Sequence, residues 1–528
     1  MMGPGADEHR MESITTSSPA AGLRAGSAAS ERSHQNPIPE TIGAHAAAGA
    51  FWTVLFSALN KCLAMGSQIA IARLLMPDEF GLVAMTLSVA SLAAILCGST
   101  LKTVLTQRMD SFEKHASHAF WLALLLNLGG AALLTIIAPI AGAVFKDSRV
   151  TPLILVFAAA VPFQALPTIY AASLARQLRF RQIALIHFGA GIIQNVSGVL
   201  LAWLGFGAYS LVIPMVAMAV YMAIAYRLTA GKIRIGPPVF KQWGELQRSA
   251  SWLMAVAGLS ALQTSGASLV ISLLHDSKTT GYFYWGFTVS SQIVFLLATN
   301  LQQVMMAVLT RLNSETQRQS IAATKAIQTL TILVLPVCLL QVLLAEPVIQ
   351  FVFHDRWLPS VPVVQCISIG MVTQPLNLLA ASLLMARGKF RRLAGATAVM
   401  VLVLLTAAAL GSLFGRQRAI AMAVAAGMVI GNLYAGWLVF QEFGKGWAQL
   451  WAALLPALKL AAPLALVTWG ACHFSSSLNA LLRSGVTAAT CGLAYLALLR
   501  WCHPEILKDV ALRLSRRRSP RPTPCLQP

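Results

Sequence analysis

Leu174-Ala175-Arg176-Gln177-Leu178-Arg179-Phe180-Arg181 closes one long apolar run, and Leu384-Met385-Ala386-Arg387-Gly388-Lys389-Phe390-Arg391 closes another, 210 residues later. Two more pairs keep the same order. Ala72-Arg73-Leu74-Leu75 through Gly81-Leu82 aligns with Ser272-Leu273-Leu274-His275 through Gly281-Tyr282 at an offset of 200, and Phe206-Gly207 aligns with Phe414-Gly415 at 208. Three matches at nearly one offset describe an internal duplication. The matched loops lie six apolar runs apart, and six is even. Both halves therefore cross in the same sense, as a parallel repeat about an axis along the membrane normal.

The apolar runs lie near 50–71, 81–99, 117–142, 151–174, 183–204, 207–226, 251–274, 281–302, 326–345, 361–385, 393–414, 419–440, 451–471 and 481–499. Each is long enough for a helix to cross ~30 Å of hydrocarbon. With 57% hydrophobic and 11% charged residues over 528 positions, too little polar surface remains for a soluble globule. Backbone amides in lipid must be satisfied within each segment, and runs this long suit helices rather than alternating barrel strands. The chain reads as an all-α polytopic membrane protein of about 14 transmembrane helices. Two six-helix lobes form a parallel pseudo-twofold repeat, and two C-terminal helices follow. The expected boundaries are a disordered cytoplasmic tail at 1–45, lobes at 46–226 and 251–440, a cytoplasmic linker at 227–250, the added helices at 441–500 and a basic cytoplasmic tail at 501–528.

The formal net charge of +21 is mostly a topology signal. With a cytoplasmic N-terminus, 19 Lys and Arg fall in inside loops against 8 outside, as basic residues prefer. Such a collar suits anionic membrane lipids, and no nucleic-acid partner is expected. The eight cysteines show no CxxC pairing, so neither a metal site nor a structural disulfide is expected. The chain has no Walker loop, no dinucleotide fingerprint and no HExxH, and no soluble segment large enough for a catalytic domain. It reads as a transporter without a cofactor, not an enzyme.

Every Asp and Glu falls in a tail, a loop or a span edge, Glu346 among them. A carboxylate at mid-depth is the usual device by which an exporter of cationic drugs binds a proton or Na⁺. Its absence disfavours a multidrug exporter. Lys61, by contrast, lies near the middle of the first span, where an ammonium costs roughly 2.5–3.5 kcal/mol and needs a polar lumen or partner. Gln68 follows seven residues on, on the same helical face. The eighth span carries Gln292, Thr299 and Gln303 in a stripe with Asn300 beside it, and the seventh offers Ser260, Gln263 and Thr264. The lumen candidates are Lys61, Gln68, Gln263, Gln292, Asn300 and Gln303. For the glutamines and Asn300, a helix-to-helix hydrogen bond worth less than ~2 kcal/mol is an equal alternative. His187 and His275 stand near span ends, where interfacial solvation is expected.

Ala72-Arg73-Leu74-Leu75-Met76-Pro77-Asp78-Glu79-Phe80-Gly81-Leu82-Val83-Ala84 resembles the polysaccharide-transport, Wzx-type branch of the multidrug/oligosaccharidyl-lipid/polysaccharide (MOP) flippase superfamily. Gln107-Arg108, Ala119-Phe120-Trp121, Arg176-Gln177-Leu178-Arg179-Phe180-Arg181, Gly205-Phe206-Gly207-Ala208-Tyr209-Ser210-Leu211, Gly281-Tyr282-Phe283-Tyr284 and Phe353-His354-Asp355-Arg356-Trp357 extend the likeness. The resemblance implies a V-shaped flippase of the bacterial inner membrane, with both termini cytoplasmic. By alternating access it would move undecaprenyl-diphosphate-linked oligosaccharide units outward for O-antigen or exopolysaccharide synthesis. Arg176, Arg179 and Arg181 would capture the head group, and a polysaccharide polymerase and export machinery would be partners. Where this branch often carries Asp in the seventh span, the chain has Gly266-Ala267-Ser268. The competing class is a membrane polymerase or ligase of the same pathway, which calls for a long periplasmic loop.

Overall fold

The computed structural model describes residues 40–93, 112–177, 179–231, 243–475 and 480–502. The expected tails at 1–39 and 503–528 and the middle of the linker, 232–242, lie outside the described residues. Among the described residues every regular element is a helix. The first half comprises α1 (Glu40–Leu74), α2 (Pro77–Ala93), α3 (Phe112–Val144), α4 (Val150–Ala160), α5 (Ala165–Arg176), α6 (Phe180–Trp203) and α7 (Tyr209–Ala230). The second comprises α8 (Trp243–Leu274), α9 (Ser277–Arg311), α10 (Thr316–Phe353), α11 (Val361–Met371), α12 (Gln374–Ala386), α13 (Phe390–Ser412) and α14 (Gln417–Gln441). Helices α15 (Gly446–Phe474) and α16 (Ala480–Cys502) complete the chain's described part.

The duplication is visible in the bounds. Pro77 and Ser277 open α2 and α9, Phe180 and Phe390 open α6 and α13, and Leu74 and Leu274 close α1 and α8. Core positions repeat as well: Val83 and Phe283, Leu153 and Val363, and Val212 and Ile420 pair at offsets of 200, 210 and 208, each at most 2% exposed. A broken span recurs too. In the first half a single 3₁₀ turn, Pro162–Gln164, separates α4 from α5. In the second, Val372 and Thr373 interrupt α11 and α12 just before Pro375, with a bend of 45°. Each proline removes a helical donor and clashes with the preceding turn, which ends the first helix locally.

Among the described residues eleven helices are long and apolar enough to cross a membrane, or twelve if the bent pair counts as one span. Fourteen were expected. Helix α2 has 17 described residues, short of a crossing, and α9 is not among those counted. Several helices exceed their expected spans. Helix α1 begins at Glu40, so 40–45, expected in the tail, are helical. Helix α10 has 38 residues, or ~57 Å, well beyond the hydrocarbon layer. Glu346, expected at a span edge, therefore lies inside that helix, on its exposed face.

The halves meet where α2 crosses α9. A Cβ added to Gly81 would stand 1.8 Å from the Ser277 carbonyl oxygen, and one added to Gly281 would stand 1.8 Å from that of Pro77. With an offset of 200, these are one contact made twice, as a twofold axis between the helices requires. Around it, Ser277 Oγ donates to Asp78, whose carboxylate also pairs with Arg149 at 2.8 Å. Arg73 Nε donates to the Val352 carbonyl at 2.7 Å, and Trp357 Nε1 donates to the Ala72 carbonyl at 2.9 Å.

The opposite end carries an ionic clamp in the second half. Arg387, Lys389 and Arg392 converge on Glu442, whose side chain is 5% exposed, with Arg387 at 2.9 Å. Gln319 Oε1 accepts from Arg387 at 2.7 and 3.1 Å, and the guanidinium lies 4.7 Å from the Phe443 ring centroid. Burial alone would raise the Glu442 carboxyl, but the three basic donors together hold it below its ordinary value. Helices α15 and α16 pack on α10 through Ile332, Leu335, Leu460 and Leu499, and Tyr495 donates to the Ile332 carbonyl at 3.2 Å.

Gly81→Val or Gly281→Val places side-chain atoms where a carbonyl stands and is expected to cost at least about 3 kcal/mol. Gly66→Ala, whose Cβ meets nothing within 4 Å, is the control. Thermal unfolding of the detergent-purified chain reads both. Glu442→Gln leaves three cations around a neutral amide and is expected to destabilise by about 3 kcal/mol. Because its folded-state pKa is depressed, the Glu442 contribution is full above the ordinary value of 4.5 and fades as pH falls below it. Melts between pH 7 and pH 3 should show that loss in the wild type and a flatter profile in Glu442→Gln.

Candidate functional site

Alternate loops gather at the same end of the bundle. The end formed by the α1–α2 and α8–α9 loops is closed by aromatic rings. Trp285 and Trp357 lie with centroids 4.5 Å apart, Phe353 meets Trp285 edge-on at 4.8 Å, and Phe80 meets Trp357 edge-on at 5.2 Å. Phe80 comes from the first half and the other three from the second, so the block is an inter-lobe seal. Trp285 and Trp357 are 0% exposed.

Directly against this seal lies a cleft of ≈ 220 Å³ between the halves. Ser67, Gln68, Gln194 and Asn195 line it from the first half, and Tyr284, Trp285, Thr288 and Gln292 from the second. Among the described residues its wall holds amides, hydroxyls and aromatic rings and no charged side chain. Gln292 donates its amide to Gln68 Oε1, so two of the expected lumen residues bridge the lobes. Ser67 donates to the Asn195 carbonyl at 3.2 Å, which ties α1 to α6, and the Asn195 amide donates within α6 to the Gly191 carbonyl at 2.7 Å.

The other expected residues divide. Lys61 is half-buried and is not in the cleft wall, but Ala64 and Gln68, three and seven residues on, are. It therefore occupies the same helical strip, further from the seal. Gln263 lines a different cavity of ≈ 240 Å³ inside the second half, with Ser260, Thr264, Gln374, Asn377 and Asn432. Its helical face is polar as expected, but that face meets α11–α14 rather than the first half. The side chains of Asn300 and Gln303 lie outside the described residues.

The histidines differ from expectation. The His187 ring nitrogen Nε2 lies 3.1 Å from the hydroxyl of Tyr226, which is 1% exposed, and borders a cavity of ≈ 480 Å³ within the first half. His275 Nε2 lies 3.1 Å from the Ser412 carbonyl. Protein groups, not interfacial water alone, satisfy both rings. Gln194, Asn195, Thr288 and Trp285 were not anticipated in the cleft. The mid-span amides of Gln194 and Asn195 carry the same signal that singled out Gln68. Trp285 stands one residue beyond a quoted motif, Gly281-Tyr282-Phe283-Tyr284.

At the end away from the seal, the matched basic loops are not alike. Arg387 and Lys389 share the one carboxylate of Glu442 with Arg392, which offsets a single one of their three charges. In the first half, Arg181 lies over the Trp52 ring, 4.9 Å from its centroid, and Arg179 approaches Gln177 Oε1 at 3.4 Å. Neither contact offsets a charge.

The architecture has relatives among solved structures. The lipid II flippase MurJ, in an inward closed conformation, matches with a TM-score of 0.66 at 14% identity, over 86% of this chain and 99% of that one. A point mutant of the Vibrio cholerae MATE transporter VcmN matches with a TM-score of 0.51 at 14% identity, over 76% of this chain and 98% of that one. These likenesses concern the fold. By sequence, the chain is 23% identical to the succinoglycan biosynthesis transport protein ExoT of Rhizobium meliloti (strain 1021), over 60% of this chain and 65% of that protein. It is 19% identical to the lipopolysaccharide biosynthesis protein WzxC of Escherichia coli (strain K12), over 65% of this chain and 70% of that one. The match thus spans just under two thirds of the first relative's length. The family model described as polysaccharide biosynthesis protein matches residues 70–362, more than half of the chain, and this multi-pass membrane protein belongs to that family.

Proposed function

We propose that the chain is a flippase that carries undecaprenyl-diphosphate-linked oligosaccharide units across the bacterial inner membrane, for O-antigen or exopolysaccharide synthesis. The observation that carries this reading is the amide-lined cleft between duplicated halves, sealed at one end by Trp285, Trp357, Phe353 and Phe80. Its place between the halves suits alternating access. The names of ExoT and WzxC, a transport protein and a lipopolysaccharide biosynthesis protein, support the same class of cargo.

In this reading the moving lobes are 46–226 and 251–440, joined by the cytoplasmic linker 227–250, with 441–500 as two added helices. Both termini are cytoplasmic, and the tails are 1–45 and 501–528. The sealed end is then periplasmic. Arg176, Arg179 and Arg181 meet the anionic diphosphate at the cytoplasmic face, Lys61 accompanies it toward the cleft, and the polyprenyl tail stays in lipid. Rocking separates Gly81 from Ser277 and Gly281 from Pro77, parts the aromatic seal and releases the head group outward. No covalent bond changes. A polysaccharide polymerase and export machinery take the product.

Lys61→Ala is expected to lower polymer export about tenfold or more at normal membrane abundance. Wild-type export would remove Lys61 from the path. Arg179→Ala with Arg181→Ala is expected to weaken head-group capture, and a topology reporter fused to the C-terminus separates that from inversion of the chain. In sealed vesicles containing only this protein, labelled lipid-linked sugar should become accessible in the second leaflet. Polymerised product in that preparation would instead favour the polymerase reading.

A further inference from the structure

Two tryptophans stand side by side in the inter-lobe seal, and they use their indole N–H groups differently. Trp357 donates to the Ala72 carbonyl at 2.9 Å. Trp285, equally buried at 0% exposure, has no partner for Nε1 among the described residues. A buried donor without an acceptor is a destabilising feature that phenylalanine at the same place would avoid. Trp285 is also part of the cleft wall, next to Tyr284, two turns along α9 from Gln292 and across from Gln68.

We propose that the sealed end of this cleft is a pyranose subsite, in which Trp285 Nε1–H and the amides of Gln68 and Gln292 hold one uncharged sugar of the cargo. The proposal rests on the flippase reading and adds where each part of the head group lies. Three observations carry it. The wall combines aromatic faces with amides and hydroxyls, the chemistry that meets the apolar C–H faces and the hydroxyl rim of a sugar ring. Among the described residues it holds no cation, so it is not where a diphosphate is held. Its ≈ 220 Å³ falls below the ~300–1,000 Å³ of ordinary ligand pockets, which limits it to about one ring.

Lys61 gives the site a direction. It lies seven residues from Gln68 on one helical strip, ~10 Å along the axis and away from the seal. The cargo therefore enters sugar first, with its diphosphate trailing at Lys61. The Gln68–Gln292 amide bond that joins the lobes is the contact the sugar hydroxyls replace.

The test uses the full chain in nanodiscs and two kinds of probe: farnesyl diphosphate, and farnesyl diphosphate bearing one glucosyl, galactosyl or N-acetylglucosaminyl residue. The wild type is expected to prefer at least one glycosylated probe over farnesyl diphosphate by roughly tenfold. Trp285→Phe should abolish that preference, leave farnesyl diphosphate affinity unchanged and keep or raise the unfolding temperature. Gln292→Leu should abolish it as well, and it carries the test if Trp285→Phe does not fold. Lys61→Ala should weaken binding of both kinds of probe alike. If the wild type binds farnesyl diphosphate without preferring any sugar, or if Trp285→Phe and Gln292→Leu keep the preference, the subsite is refuted while the flippase reading stands. If the wild type binds neither kind of probe, the flippase reading fails with it.

Discussion

The close approach of α2 to α9 is the constraint on which the rest of the structure depends. In lipid there is little hydrophobic drive to bring two helices together, so van der Waals contact between backbones has to do it, and glycine permits the nearest approach. Here the two contacts are reciprocal: Gly81 lies on the Ser277 carbonyl and Gly281 on the Pro77 carbonyl. A side chain at either place removes both, because the helices share one crossing point. The hydrogen bonds of Trp357 to Ala72 and of Arg73 to Val352, and the edge-on contact of Phe80 with Trp357, all sit within a few turns of it.

Duplication preserved this skeleton and let the side chains diverge. Bounds and core positions repeat, yet three of the four rings in the seal come from the second half. The second half also supplies the bent span, where Val150–Arg176 in the first counts as one continuous crossing. The sharpest difference is electrostatic. Glu442 gathers three cations into one clamp and offsets a single one of their charges, so the second half's basic loop stays net positive. Arg179 and Arg181 keep their charge against an amide and an indole. In the proposed reading both basic loops attract an anionic head group, at a face where water and salt screen the attraction enough for it to let go.

Much of this was legible in the sequence. Apolar run length gave the helices, three short matches gave the repeat, and the one-face rule put Gln68 and Gln292 among the polar linings. The limit of that rule is equally plain. Periodicity says which face of a helix a residue occupies, not which helix lies opposite, so Gln263 groups with Gln68 by pattern although it opens into a cavity of its own half. Lys61 falls on the right strip, but the depth at which the cleft ends is set by packing around Trp285 and Phe80. The helix breaks at Pro162 and before Pro375 are hidden because the runs stay apolar across them. His187 and His275 look interfacial from their positions, and only the fold brings Tyr226 and the Ser412 carbonyl to them.

A neutral cleft with charge kept outside it also fits the energetics of moving a sugar through lipid. A cation fixed beside the seal would be costly to bury, and a carboxylate there would repel a diphosphate. Amides avoid both difficulties. The Gln68–Gln292 bond and an amide–hydroxyl bond are each worth about 1 kcal/mol net, so exchanging one for the other is nearly balanced in either direction. That balance suits a carrier, because a site that bound the sugar much more tightly than its own closed contact would hold it through the cycle. In the proposed arrangement affinity comes from the diphosphate at Lys61 and from the lipid, and the cleft contributes mainly discrimination among sugars.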